Sequence, residues 1–548
     1  MRVDTKRRSR TSLGILLLIL GLAGWLRLSG LNWDGGIGAH PDERYVVGVA
    51  EELYHSGRAN PFAVAPDYAY GHLPLYVLMG AMALFPSLDP LLIGRALAAL
   101  FDLGTVGMVF LLGKRLYGER VALWAALGIT VTVLHIQQAH FYTVDGPGTF
   151  WTTVTLWFAG QWAERGRWRD AVLTGKCAGL AVGTKADALL LGLPIAAACL
   201  LAPVRSRRAR WGMAGLASLS ALLAFGVSNP YALISFGTLW RNLTRQTNIV
   251  GGALDVPYTR QFHARWPYFY QMVQLCRWGM GWPLGIAALS GLGYGIWQAV
   301  RRPPQAGEWV LLTWLLPGLA FVGGLYAKFP RYLLPFTPWL VLHAARGLYT
   351  LRKRWHRVGA VVCGVVLASA LARSIALMGL YRQPHPWQAA SAWFDEHAPP
   401  GAMIAVEEWD QPLPVGAVER GYTLRALPVF DEESWAKWER INGALASADY
   451  LVVASRRGYG ALSRWADRYP RTAAYYRALF DGELGWRPVA CFSREAHLGP
   501  LVLQDDPTVE LGFSLPPACE TSGWVWRLGE LDESFVVYDH PRAIIFAR

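Results

Sequence analysis

HLPLYVLMGAMALF, residues 72–85, is apolar throughout after its opening His72, yet it is only 14 residues long. A helix needs about 20 residues to cross a bilayer core. Whether this segment crosses sets the sidedness of everything behind it. Eleven longer apolar blocks lie near 11–27, 91–113, 120–138, 147–163, 171–184, 187–203, 212–228, 280–300, 309–327, 332–350 and 358–380. If 72–85 does not cross, six basic clusters fall on one face: KRRSR (6–10), GKRLYGER (113–120), ERGRWR (164–169), VRSRRAR (204–210), AVRRPP (299–304) and LRKRWHR (351–357). If it crosses, the first cluster is stranded opposite the other five, against the tendency of Lys and Arg to stay cytoplasmic. The charges therefore predict an interfacial or re-entrant segment at 72–85. They also predict eleven spans, with the N-terminus inside and the C-terminus outside.

Composition supports a membrane chain: 53% of the 548 residues are hydrophobic and 17% charged. The 26 Trp and 23 Tyr suit two membrane interfaces, where amphipathic rings collect. The net charge of +13 is spread over the short inter-block clusters, which excludes nucleic acid as the expected partner. MRVDTKRRSR followed by LGILLLILGLAGWL has the pattern of a signal peptide, but no small-residue cleavage site stands out, and the basic flank equally fits an uncleaved first span with its N-terminus inside. Cysteine spacing offers no zinc or redox motif; Cys491 and Cys519 are placed to pair if the C-terminal part lies outside the cell.

Beyond Tyr381 the apolar blocks give way to mixed sequence. The runs MIAVEEW (403–409), DYLVVAS (449–455), SFVVYDH (534–540) and RAIIFAR (542–548) read as strands, and WQAASAWFDEHA (387–398) as a helix. The expected fold is thus a polytopic α-helical membrane domain, 1–380, with a first outer loop at 28–90, followed by an extracytoplasmic α/β domain, 381–548.

The outer face gathers the residues able to do chemistry. GAHPDERY (38–45) carries Asp42 and Glu43 at the start of a partly apolar helix, RYVVGVAEELYHSG (44–57). Acids there either cap that helix or face a site. Asp145 lies in HFYTVDGPG, Lys185 and Asp187 in GTKADA, Lys328 and Arg331 in AKFPRYLLPFTP, and His72 opens HLPLY. Arg95 and Asp102, seven residues apart within one span, share a helix face and read as structural support. Carboxylates and cations together at a membrane boundary suit group transfer from a lipid-linked phosphate. Cations hold the phosphate while a carboxylate takes the proton of an attacking hydroxyl. The carboxylates could equally ligate one hard divalent cation.

In order along the chain, HPDE, YGHLPLY, HFYTVDGP, GTKADALLLGLP and KFPRYLLPFTPWL resemble the family 39 polyprenyl-phosphate-dependent glycosyltransferases. These include the protein O-mannosyltransferases and the bacterial lipid A aminoarabinose transferase. The resemblance spans roughly residues 10–380 and implies a GT-C fold with an inverting transfer on the outer face. It implies Asp42 as general base, with Glu43 and Asp145 as the companion acids. It further implies a lipid-phosphate clamp at Lys328, Arg331 and Tyr332, aided by Lys185 and by His72, which stands where some relatives carry Lys. No metal is carried over, because GT-C enzymes differ in their use of one. The closing run DESFVVYDHPRAIIFAR resembles uncharacterised bacterial members, which implies a bacterial plasma membrane. The implied partners are a polyprenyl-phosphate sugar, membrane lipid and a hydroxyl acceptor (lipid, protein or polysaccharide). Two other readings fit the composition: a polyprenyl-lipid or glycolipid transporter, and a non-catalytic envelope protein binding glycan. The lack of repeated halves and the outer position of the charged residues count against the transporter.

Overall fold

The computed structural model describes residues 2–548 except 506, 507, 509, 510 and 522; the side chains of residues 2–10, with the first basic cluster, are outside the described set. Two compact units emerge. The first comprises Met1–Leu31, Pro41–Thr247 and Pro267–Ser374; the second comprises Asn32–His40, Asn248–Trp266 and Ile375–Arg548. The second unit thus recruits two segments that lie well before residue 381 in the chain.

The first unit is helical. Its helices begin with α1 (Arg2–Leu28), α2 (Pro41–Ser56), α3 (Leu73–Leu84), α4 (Pro90–Tyr117), α5 (Glu119–Thr130) and α6 (Val133–Ala139). They continue with α7 (Asp145–Arg165), α8 (Trp168–Val182), α9 (Gly192–Leu201), α10 (Arg207–Ser228), α11 (Pro230–Ile234) and α12 (Phe236–Gly251). The last are α13 (Phe269–Gln274), α14 (Trp282–Arg301), α15 (Ala306–Gly324), α16 (Thr337–Arg354) and α17 (His356–Leu380), the final turns of α17 from Ile375 being counted in the second unit. α4 shows how sequence sets an end: the Asp89 side chain accepts from Leu91 N–H, Pro90 occupies the first turn, and Lys114 and Arg115 face the negative C-terminal end.

Each of the eleven apolar blocks is largely helical. Among the described residues, five helices are long and apolar enough to cross a membrane: Thr11–Leu28, α4, α10, α15 and α17. The pair α5 and α6, bent by 59°, makes a sixth if taken as one. The other blocks form shorter or more polar helices; α8 has 15 residues and α9 has 10. Segment 72–85 becomes α3, whose 12 residues rise only ~18 Å, short of a ~30 Å hydrocarbon core. Its Leu75, Leu78 and Met82 pack with Val46, Val47, Ala50 and Leu53 of α2.

In the second unit, β1 (Met403–Glu407), β2 (Thr423–Leu427), β3 (Tyr450–Val453), β4 (Arg487–Phe492) and β8 (Ala543–Ala547) form a sheet ordered β2-β1-β3-β8-β4. The pairs β1–β2 and β1–β3 are parallel, while β8 runs antiparallel to β3 and β4. A smaller sheet joins β5 (Ala496–Leu498), β6 (Leu501–Gln504) and β7 (Trp524–Arg527). α18 (Pro386–His397) fills the expected helix, and α19 (Trp435–Ser447), α20 (Arg457–Leu462) and α21 (Pro470–Phe480) follow. Residues 534–540 are not a strand. The Asp532 side chain caps a helical turn at Glu533–Val536 by accepting from Ser534 N–H at 2.9 Å, which overrides the β-prone valines. Cys491 and Cys519 are disulfide-bonded.

Candidate functional site

The acids of the first loop occupy the opening turn of α2, where negative charge favours the helix dipole, and they point different ways. Asp42 Oδ2 accepts from Arg331 Nη1 at 2.6 Å, in a pair still partly open to solvent. Arg331 is set by a 3₁₀ turn, Pro330–Phe336, stiffened by prolines at 330 and 335. Glu43, one residue on, is fully buried. Its two oxygens take Arg95 Nε at 3.0 Å and Nη2 at 2.7 Å, and Oε1 also accepts from Tyr142 N–H at 2.8 Å. Arg95 also donates to Leu31 O at 2.8 Å. Glu43 therefore ties α2 to α4 and to the loop that leads into α7.

Asp145 begins α7, and its Oδ1 accepts from Lys185 Nζ at 2.8 Å; the same ammonium lies 3.0 Å from Asp187 Oδ2 and 5.1 Å from the centre of the Tyr332 ring. Burial alone would drive the Lys185 pKa down, but the charges of Asp145 and Asp187 outweigh it and hold the ammonium above its usual range. The two ion pairs meet at a backbone crossing. Gly71 N–H donates to Thr184 O and Leu73 N–H to Gly183 O. A Cβ on residue 71 would fall 2.1 Å from Gly183 O, so only glycine permits the approach. Tyr70, next to it, feels the charges of Asp42, Arg331 and Asp145; burial, then Asp42, push its phenol well above the usual value. Tyr332 lies within reach of the same three groups and of Lys185.

Asp42, Arg331, Asp145, Lys185 and Tyr332 are therefore brought to one place, with Tyr70 and Asp187 among them. Tyr70 has no signal of its own in the sequence, although it lies two residues before His72 in the motif YGHLPLY. The remaining expected residues sit otherwise. His72 is fully buried among Phe62, Tyr68 and Tyr76, with no hydrogen bond to either ring nitrogen, and burial lowers its pKa to about 4. Lys328 Nζ donates to Tyr326 O at 2.8 Å, and burial lowers its pKa. Arg95 and Asp102 do not pair with each other. Asp102 instead accepts from Arg27 Nε at 2.5 Å and contacts His135 Nδ1 at 2.5 Å, and His135 Nε2 reaches Thr337 Oγ1, just after the Arg331 turn. Among the described residues no group of three or more His, Cys, Asp or Glu is arranged around a metal position.

The helical unit that carries this cluster has the fold of the GT-C glycosyltransferases. The archaeal oligosaccharyltransferase AglB from Archaeoglobus fulgidus, in complex with an inhibitory peptide and a dolichol-phosphate, superposes with a TM-score of 0.57 at 14% identity over 85% of this chain and 72% of that one. ArnT from Cupriavidus metallidurans in the apo state gives 0.50 at 16% identity, over 83% and 95%. Residues 72–229 match the family described as dolichyl-phosphate-mannose-protein mannosyltransferase. An undecaprenyl phosphate-alpha-4-amino-4-deoxy-L-arabinose arabinosyl transferase of Pseudomonas fluorescens is 29% identical over 338 residues. That match spans 60% of this chain and 57% of the relative. Fold and sequence together relate the chain to the GT-C glycosyltransferases, and it is a multi-pass membrane protein.

Proposed function

We propose that the protein is a glycosyltransferase that moves a sugar from a polyprenyl phosphate to a hydroxyl acceptor on the outer face of a bacterial plasma membrane, with inversion. The observation that carries this reading is the joining of Asp42–Arg331 and Asp145–Lys185 around Tyr70 and Tyr332. In the reaction, Arg331 and Lys185 hold the donor phosphate. Arg331 turns from Asp42 to the phosphate oxygens, which frees the carboxylate to receive a proton. The acceptor oxygen attacks the anomeric carbon as Asp42 takes its hydrogen. The bond from carbon to phosphate oxygen breaks, and polyprenyl phosphate leaves with the electron pair, stabilised by the two cations. Asp145 keeps Lys185 charged throughout. The orientation that suits this chemistry is eleven spans, N-terminus inside and the 381–548 domain outside, where a disulfide is stable.

The deciding experiment is transfer from defined polyprenyl-phosphate sugars in liposomes, comparing wild type with Asp42→Asn. Loss of the base is expected to lower turnover by roughly 10²–10⁴ with little change in donor KM. Equal turnover removes Asp42 from the role. Survival of lipid export in Asp42→Asn, with no transfer by wild type, would instead favour a transporter.

A further inference from the structure

The segment from Asn229 to α12 grips the loop that carries Tyr70 and His72. Asn229 Oδ1 accepts from His72 N–H at 2.6 Å. At the other end, Asn242 Nδ2 donates to Pro66 O at 2.9 Å and Tyr68 O at 3.0 Å. Between these two side chains, Tyr231 and Leu239 pack on the core under the first loop. The side facing away is apolar: Leu233, Ile234, Phe236 and Trp240 are each more than half exposed, and the Phe236 and Trp240 rings stack at 6.2 Å. Arg241 and Arg245 project from the remaining, solvent-facing side of α12.

We infer that 229–247 is a bilayer-interface element whose seat in lipid positions the 66–72 loop. Two features identify the occupant of the apolar face as lipid. The face continues the exposed Leu219, Leu222, Leu223 and Val227 of α10, a helix of membrane-spanning length that ends only one residue before α11. The flanking arginines complement anionic headgroups, and Trp and Phe prefer that depth. Hydrophobic burial of the aromatic pair then acts at a distance. It fixes the helix, the helix fixes Asn229 and Asn242, and these hold the backbone on either side of Tyr70. In its effect on turnover this rests on the transferase reading; in its placement it does not.

The test uses full-length protein in nanodiscs of phosphatidylethanolamine and phosphatidylglycerol, with an environment-sensitive thiol probe on Trp240→Cys. The four free cysteines are buried, and wild type treated in parallel sets the background. Expected are strong quenching by shallow doxyl lipid and protection from aqueous iodide, relative to the same probe on Glu439→Cys, an exposed position of α19. Iodide quenching equal at both positions overturns the placement. Hydrogen exchange at residues 66–72 tests the coupling. The Phe236→Ser/Trp240→Ser pair should raise it about fivefold or more in nanodiscs, the effect of weakening one or two hydrogen bonds. Unchanged exchange there overturns the coupling. Asn242→Ala should raise the same exchange while the probe at 240 stays in lipid; a probe released to water by that change would reverse the dependence and refute it. None of these readouts needs turnover, so their failure is distinct from failure of the transferase reading.

Discussion

Glu43→Gln keeps the shape of the side chain and removes its charge, so it isolates what the buried Glu43–Arg95 pair does. Both side chains are wholly buried and the pair is doubly hydrogen-bonded, so the variant leaves an uncompensated guanidinium in a dry site. Breaking such a pair from one side costs about 3–5 kcal/mol. Arg95→Met leaves the opposite charge stranded and should cost a similar amount. Glu43→Gln/Arg95→Met removes both charges, and its loss should be smaller than either single loss, because the desolvation penalty goes as well. For a unit of this size each kcal/mol corresponds to roughly 1–2 °C in melting temperature, so each single variant should fall by roughly 3–10 °C and the double by less. Turnover separates stability from positioning. The double variant loses the charge-assisted grip on Tyr142 N–H, which links the start of α2 to the loop before Asp145. Its kcat should stay depressed although its melting temperature recovers. The assay is thermal unfolding in nanodiscs beside donor turnover for the four chains of the cycle. Additive losses of melting temperature in the double variant would refute the pairing energetics. Full recovery of kcat would refute the positioning role.

Three further outcomes follow from the structure. Lys185→Gln should raise donor KM about 10–100-fold, the loss of one charge-assisted phosphate contact, and wild-type KM should show no lysine titration between pH 7 and 9. The sign follows because the folded pKa lies above the unfolded one, so the ammonium and its pairing are intact until the pH exceeds the usual lysine value. Glu407, buried at the end of β1 with Tyr476 donating to it, is pushed up from 4.5 to about 8 by burial and by Asp410. The unfolded chain loses this proton first, so stability falls as pH rises from 4.5 to 8, and Glu407→Gln should melt higher than wild type at pH 9, by up to about 5 kcal/mol, and equally at pH 4. Cys491→Ser/Cys519→Ser opens a 28-residue separation and should destabilise the second unit by about 3–4 kcal/mol, read from its melting with and without reductant.

Apolar length located the eleven apolar blocks as helix, because lipid leaves an unpaired backbone no alternative, but it gave no sign of α11, α12 and α13, which lie between the blocks 212–228 and 280–300. Apolar length and basic clusters together also put Asp42, Asp145, Lys185 and Arg331 on one face, since all four flank apolar blocks. Partner choice was not legible in the same way. Arg95 and Asp102 share a face at seven-residue spacing, which gives the direction of each side chain but not what meets it, and each found a partner on another element. Adjacent acids at a helix start look alike in sequence, yet a rotation of about 100° per residue sends Asp42 to Arg331 and Glu43 inward. Residues 534–540 carried strand-like valines, but a single capping aspartate decided the local structure. The segments Asn32–His40 and Asn248–Trp266 joined the second unit through contacts far apart in sequence, which no local pattern records.

The buried chain from Arg27 through Asp102 and His135 to Thr337 also constrains how the protein is made. Arg27 ends α1, and its carboxylate partner is synthesised 75 residues later. At ~5–20 residues per second that is a delay of roughly 4–15 s, during which a guanidinium beside the bilayer has no counter-ion from the chain. A charged residue held at mid-bilayer costs about 2.5–3.5 kcal/mol, so the first helix is best kept near the headgroups or the insertion machinery until α4 arrives. Helices α1 and α4 would then dock as a pair and present His135 with a ready acceptor. Deleting the first helix should therefore harm more than one span: it would leave Asp102 and His135 as stranded polar groups in the next bundle layer, and chains lacking it should be degraded during insertion rather than accumulate as an inactive protein.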